Sequence, residues 1–421
     1  MDLRITPADL KGRVAVTPSK SDAHRILISA ALANQPTLVR LSSYSKDIHV
    51  TMNCLRSLGA KIDADSPDLL HITPLWPNRV GAADLDCGES GSTFRFLLPL
   101  AAALGVTATF TGHGRLPERP IQQLIDQLQS HGCQFDQTKL PFTVRGKITG
   151  GHYTLPGDVS SQFISGLLFA LPLLAKDSLI VLTSQLESKG YAKMTMSTLK
   201  KFGVEIEELA AGYHIKGRQK YLSPQQLRVE GDWSNAAFWI CAGALQGSDI
   251  LCSGLNQASV QGDKEIINLL KGFAANVSLL KDTAHSIGKT LQGQCIDAAE
   301  IPDLIPIISV VAAAAQGTTE IYNAKRLRIK ESDRLAAMAE NLARLGADVT
   351  EKEDGLIIRG GKPLRGGSVN GFGDHRIVMS MAIAAKLCQR ELIIAGAEAV
   401  EKSYPQFFDH YKMLGGIVDV I

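Results

Sequence analysis

The chain has 421 residues, with 44 Lys and Arg against 42 Asp and Glu, a formal net charge of +2 and a sequence pI near 8.1. So balanced a charge excludes the strongly basic surface of a nucleic-acid binder, and the length, with 45% hydrophobic residues, suits two domains with large cores. No run of eighteen apolar residues could span a membrane, residues 1–12 lack an apolar signal region, and seven cysteines without a CxxC pair read as reduced thiols; a cytoplasmic protein without metal or cofactor is expected.

Six stretches share one design, small polar residues followed by an almost wholly apolar run. In chain order they are 19–33 (SKSDAHRILISAALA), 87–105 (CGESGSTFRFLLPLAAALG), 160–175 (SSQFISGLLFALPLLA), 232–245 (DWSNAAFWICAGAL), 301–315 (IPDLIPIISVVAAAA) and 373–387 (GDHRIVMSMAIAAKL). That pattern predicts helices buried on every side, whose first amides lie open at a polar start. Open amides at the positive end of a helix dipole seat a phosphate or carboxylate. β-rich runs follow, such as TATFTG, SLIVLT, TTEIYN and ELIIAG.

Between these lies a second pattern, an amphipathic helix ending at a small residue and then a strand: SLGAKI, SHGCQF, KFGVEI, GFAANV, RLGADV and MLGGIV. The small residues Gly59, Gly132, Gly203, Ala274, Gly346 and Gly415 recur 69–73 residues apart. Six copies of one unit therefore fill the chain. A solenoid is the simplest reading of a repeat, but so long a unit favours two domains of three copies.

The cations Lys20, Arg25, Arg95, Arg119, Lys330, Arg334, Arg376 and Lys402 fall on or beside the apolar helix starts and the loop GHGRLPERPI, where solvated charges are not usually placed. His375 reads as a supporting or capping histidine, and Cys133, after a helix break, as packing.

The segments PSKSDAHR, CGESGSTFR, LPERPI, SSQF, SKGYA, IPDLIP, RIKESDRLAAM, GDHR and KSYPQFF, in this order, resemble the 3-phosphoshikimate 1-carboxyvinyltransferases, or EPSP synthases, over essentially the full length. The resemblance implies an α/β fold of two similar domains, each of three βαβαββ repeats, the inside-out α/β barrel of the enolpyruvyl transferases. Residues 19–228 would form one lobe and 1–18 with 229–421 the other, the chain crossing near 17–19 and 228–232. The helix starts of both lobes would face a cleft that closes on anionic ligands.

The implied reaction moves the enolpyruvyl group of phosphoenolpyruvate to the 5-hydroxyl of shikimate 3-phosphate and releases phosphate. By resemblance, Lys20, Ser21, Arg25, Ser160, Ser161, Gln162, Ser188, Tyr191, Asp303 and Lys330 hold shikimate 3-phosphate, while Lys20, Gly91, Arg119, Gln162, Arg334, Arg376 and Lys402 surround phosphoenolpyruvate. Two mutually repelling acids need this many cations. Asp303 is expected to accept the hydroxyl proton with help from Lys330, and Glu331 to protonate the methylene carbon; Lys20 joins them as catalytic. For Glu331 the plainer reading is an i,i+3 partner of Arg334 on a helix.

The first motif departs from the family pattern at Pro18 and Ala23, and Glu89 stands where many members have asparagine. Asn323 and Arg326 receive no role. Three rivals are weighed: UDP-N-acetylglucosamine 1-carboxyvinyltransferase, whose reactive cysteine has no equivalent in GHGRLPERP; an RNA 3'-phosphate cyclase, which needs a basic RNA track; and a non-catalytic anion-binding protein, disfavoured by Asp303 and Glu331. The expected partners are the two small-molecule substrates, with neither nucleic acid nor membrane, and the expected state is a monomer. The family link also makes glyphosate an expected inhibitor.

Overall fold

A computed structural model describes residues 1–76 and 78–421. Twelve helices alternate in character along the described chain: α1 (Lys20–Leu32), α2 (Lys46–Ser57), α3 (Gly91–Leu104), α4 (Gln122–Ser130), α5 (Ser161–Ala170), α6 (Lys189–Lys201), α7 (Trp233–Ala244), α8 (Ile266–Gly272), α9 (Ile305–Ala314), α10 (Arg334–Arg344), α11 (His375–Ala384) and α12 (Phe407–Met413). The odd-numbered helices are the six apolar stretches, and nearly every residue in them is buried. The even-numbered ones bury one face only, as Ile48, Thr51, Met52, Cys54 and Leu55 do in α2.

Some of these helices are shorter than the apolar patterns suggest, for local reasons. α5 ends at Ala170 and continues as a 3-10 turn through Leu173, where Pro172 cannot donate the next helical bond. α9 starts only at Ile305, with Pro306 in its first turn. Asp303 therefore lies in the turn that leads into the helix, not on the helix itself.

Among the described residues, six four-stranded sheets repeat one arrangement. In the sheet of Ala82–Asp86, Thr107–Thr111, Phe142–Gly146 and Cys133–Phe135, the first two strands are parallel and the other two pairings antiparallel. Three sheets draw their strands from one contiguous stretch. Three others recruit a distant strand: Gln226–Arg228 lies parallel to Thr37–Arg40, Lys11–Ala15 parallel to Asp249–Ser253, and Leu3–Thr6 sits between Leu392–Ala395 and Ile417–Val420. Seen through these sheets, the repeat is strand, apolar helix, strand, amphipathic helix and two strands, cut open within a repeat at the chain termini.

The backbone shows why the breaks recur. Gly59, Gly132, Gly203, Gly346 and Gly415 all have positive φ, from 74° to 114°, and Ala274 takes the same place at 59°. Each stops an amphipathic helix in the left-handed conformation that releases the chain toward its strand. Only at Ala274 does a Cβ oppose that conformation. Ala274→Gly is expected to raise stability by about 0.5–1 kcal/mol, measured by urea unfolding; a loss would contradict this reading.

The fold divides into two compact units, Lys20–Val229 and Met1–Ser19 with Glu230–Ile421, each with its own hydrophobic core. In the first, α3 packs on α5 so closely that a Cβ at Gly166 would run into the Arg95 carbonyl oxygen. In the second, α9 packs on α11. Ser19 N donates to Glu230 O and Asp232 N to Thr17 O around a Pro18–Gly231 bridge; the Pro18 that departs from the family motif thus sits where no backbone donor is needed. The cysteines are free, all but Cys295 buried, and Cys133 packs in the core with its thiol pushed up to about 11 by burial. No helix among the described residues is long and apolar enough to cross a membrane.

Candidate active site

None of the site residues named from the sequence is fully exposed. In the unit Lys20–Val229, the first turn of α1 carries Lys20, whose Nζ lies 3.0 Å from Asp47 Oδ2 in the first turn of α2. One turn on, Arg25 is only 2% exposed. Its Nε donates to Thr195 Oγ1 at 2.8 Å, Nη2 to the Tyr191 carbonyl at 2.9 Å and Nη1 to the Ser21 carbonyl at 2.6 Å. The guanidinium also faces the rings of Phe96 and Tyr191. Burial pushes its pKa down to about 10, yet it remains a cation at neutral pH. Arg25 thereby ties α1 to α6, and Tyr191 is a contact of the cation and not a plain core aromatic.

The start of α3 gathers the next group. Ser90 caps the helix by accepting from Thr93 N, and Gly91 is its first residue. A Cβ on Gly91 would lie 2.7 Å from Nη1 of both Arg95 and Arg119. Two guanidiniums are thus drawn to one helix N-terminus, a concentration of positive charge suited to a small anion. Arg95 Nη1 donates to Gln162 Oε1 at 2.9 Å and Nη2 to the Pro120 carbonyl at 2.8 Å, and Gln162 Nε2 donates to Ser92 Oγ at 3.0 Å. The Gln162 amide and the loop carrying Arg119 are therefore held by one arginine. Ser160 caps α5 through Gln162 N, Ser161 is buried beside it, and Ser188 precedes α6 in the left-handed region at φ 54°.

Gly91→Ala would force the ends of both arginines to move.

The unit built from residues 1–19 and 230–421 holds the remaining predicted residues. Arg334, 1% exposed, opens α10 and binds three carboxylates: Nε to Asp374 Oδ2 at 2.8 Å, Nη1 to Asp303 Oδ1 at 2.7 Å and Nη2 to Glu331 Oε2 at 2.9 Å. Arg376, at the start of α11, donates from Nη2 to Asp303 Oδ2 at 3.1 Å and from Nη1 to the Asp303 carbonyl at 3.2 Å. Asp303 is thus gripped by both arginines. Glu331 does pair with Arg334, but α10 begins at Arg334, so the pair bridges the entry to the helix and does not lie along its surface. Burial pushes Lys330 down to about 8, with Asp303 opposing that shift and Arg326 and Arg334 reinforcing it. Lys402 Nζ donates to the Gly373 carbonyl at 2.7 Å, beside the start of α11.

Three residues given no role from the sequence belong here. Asp374 is fully buried, caps α11 through Arg376 N, accepts from Ser332 Oγ and anchors Arg334; its place before the His-Arg pair at an apolar helix start was the available signal. Asp47 is the partner of Lys20, and nothing local in the sequence points to it. Asp263, 4% exposed, accepts from Ser234 Oγ and is pushed up to about 7, first by burial and then by Asp303. Its folded form therefore holds a proton more tightly than the unfolded chain, so stability falls as pH rises from about 4 to about 7. Asp263→Asn should remove that slope, giving a higher urea midpoint than the parent at pH 8 and no gain at pH 4; the same difference at both would contradict it.

The profile of the family described as EPSP synthase (3-phosphoshikimate 1-carboxyvinyltransferase) matches residues 5–411. A 3-phosphoshikimate 1-carboxyvinyltransferase of Clostridium novyi is 43% identical over 429 residues, covering 99% of this chain and 98% of the relative, and one of Clostridium acetobutylicum is 45% identical over 422 residues with the same coverage. Among solved structures, EPSP synthase from Acinetobacter baumannii superposes with a TM-score of 0.83 at 26% identity, covering 100% of both chains. The enolpyruvyl transferase NikO from Streptomyces tendae superposes at 0.80 with 17% identity, covering 99% of this chain and 98% of NikO, and at that identity bears on the fold alone. With matches of this extent joined to two groups of buried cations at helix starts, the chain belongs to the EPSP synthase family.

Proposed function

We propose that this chain transfers the enolpyruvyl group of phosphoenolpyruvate to the 5-hydroxyl of shikimate 3-phosphate, releasing phosphate in the shikimate pathway. The observation that carries the reading of the chemistry is the grip of Arg334 and Arg376 on Asp303, with Lys330 softened toward neutrality beside it.

In this reading Lys20, Ser21, Arg25, Ser160, Ser161, Gln162, Ser188, Tyr191, Asp303 and Lys330 serve shikimate 3-phosphate. Lys20, Gly91, Arg119, Gln162, Arg334, Arg376 and Lys402 serve phosphoenolpyruvate. Asp303 takes the proton of the 5-hydroxyl as its oxygen bonds to C2 of phosphoenolpyruvate, and Glu331 gives a proton to C3, which becomes a methyl group. Glu331 then removes a methyl proton while the bond to phosphate oxygen breaks, restoring the double bond. Cations at the developing negative charges lower both barriers, and the scheme uses no cofactor.

The uniform sheet order supports a finer reading of the fold, three βαβαββ repeats in each of two inside-out α/β barrel lobes, residues 19–228 and 1–18 with 229–421. The reading includes a cytoplasmic monomer. NMR of the product tests the chemistry: an enolpyruvyl ether on the 5-oxygen supports it, and an ether elsewhere, or none, overturns it.

A further inference from the structure

The unit Lys20–Val229 contains a chain of buried polar groups that the scheme above does not use. His24 Nδ1 in α1 lies 2.7 Å from Thr51 Oγ1 in α2, and Thr51 Oγ1 lies 2.6 Å from Thr93 Oγ1 in α3. Thr93 Oγ1 in turn donates to Ser90 Oγ at 2.7 Å, and Ser90 Oγ also accepts from Thr93 N at 3.2 Å. His24, Thr51 and Thr93 are 0% exposed and Ser90 is 1% exposed. Water therefore does not set the direction of these bonds.

Each hydroxyl has one proton, so the directions follow from one another. Thr93 spends its proton on Ser90, which obliges Thr51 to donate to Thr93, and His24 to donate from Nδ1 to Thr51. Burial, reinforced by Lys20 and Arg25, keeps the imidazole pKa well below its ordinary value, so His24 is neutral with a single N–H. That N–H is on Nδ1, and Nε2 is buried without a partner. At the other end, the two lone pairs of Ser90 Oγ are occupied by Thr93, and its own proton is left to be donated, one residue before Gly91. Run backwards, the same chain would turn Ser90 into an acceptor there, a lone pair set against an anion.

We propose that His24 is a positioning residue: through Thr51 and Thr93 it fixes Ser90 as a hydroxyl donor to the phosphate or carboxylate of phosphoenolpyruvate at the start of α3. This rests on the placement of phosphoenolpyruvate given above. The relay adds a binding group, Ser90, and a residue that sets its polarity from another helix.

The test uses the full chain with phosphoenolpyruvate and shikimate 3-phosphate. If the parent released no phosphate, the functional reading would fail first, so the two failures are distinguishable. In an active parent, Ser90→Ala and the near-isosteric Thr51→Val should each raise KM for phosphoenolpyruvate by about tenfold, the loss of one hydrogen bond to a charged group, with KM for shikimate 3-phosphate unchanged. Together they should cost little more than either alone. His24→Phe should behave like Thr51→Val, whereas His24→Asn, whose Nδ2–H takes the place of Nδ1–H, should recover most of the loss. Equal rises in both KM values, independent effects in the double variant, or an asparagine variant as poor as the phenylalanine one would overturn the proposal. Nitrogen-15 NMR of the parent imidazole gives an answer without any variant: the Nδ1–H tautomer is expected, and an Nε2–H tautomer would overturn it.

Discussion

Asp303→Asn is expected to lower phosphate release by about 10²–10⁴-fold, the usual contribution of a positioned general base, while shikimate 3-phosphate still binds. The carboxylate stands where both arginines donate to it, Arg334 to Oδ1 and Arg376 to Oδ2. An asparagine keeps the size and one acceptor but turns an amide N–H toward one guanidinium. The incoming hydroxyl then has no base, and one arginine faces a donor. The loss should fall on turnover more than on KM, because the groups assigned to the sugar phosphate are left in place. Stopped-flow phosphate release together with calorimetric titration of shikimate 3-phosphate separates the two, and near-normal turnover would exclude Asp303 as the base.

Arg334→Met is expected to destabilise the protein by about 3–5 kcal/mol, the cost of leaving buried charge uncompensated. The side chain links Asp374, Asp303 and Glu331 from a position only 1% exposed. Asp374 is fully buried and also accepts from Ser332 Oγ and Arg376 N, so removing its cation disturbs the start of α11 as well as that of α10. Arg334→Lys should recover only part of the loss, since one ammonium cannot reach three carboxylates in the arginine's fork geometry. Adding Asp374→Asn to Arg334→Met should restore part of the stability by removing the stranded charge. Urea unfolding measures each, and a loss below about 1 kcal/mol for Arg334→Met would show that the cluster holds little.

The two helix classes were legible because their signals are local. The all-apolar runs of the odd-numbered helices and the one-sided pattern of α2 or α10 appear in windows of a dozen residues. The breaks at Gly59, Gly132, Gly203, Gly346 and Gly415 were visible for a stronger reason. Each needs a left-handed backbone, which glycine adopts most easily, and Ala274 shows that geometry persisting where the residue type does not advertise it.

What the sequence concealed is long-range. The pairing of Gln226–Arg228 with Thr37–Arg40 closes a sheet over nearly two hundred positions, and no periodicity records such a partner. Asp263 and Asp47 matter through groups brought to them by folding, Ser234 and Asp303 for the first and Lys20 for the second. The His24 relay crosses three helices, and its members are ordinary core residues when read one at a time. Motif spacing could place cations at helix starts, but it could not say that Arg334 would hold three carboxylates at once.

The most direct measurement of the central claim is phosphate release from phosphoenolpyruvate with each acceptor supplied separately. Release that depends on shikimate 3-phosphate, with none above background on UDP-N-acetylglucosamine, is the predicted result. Release with the nucleotide sugar alone, or with neither acceptor, would contradict it.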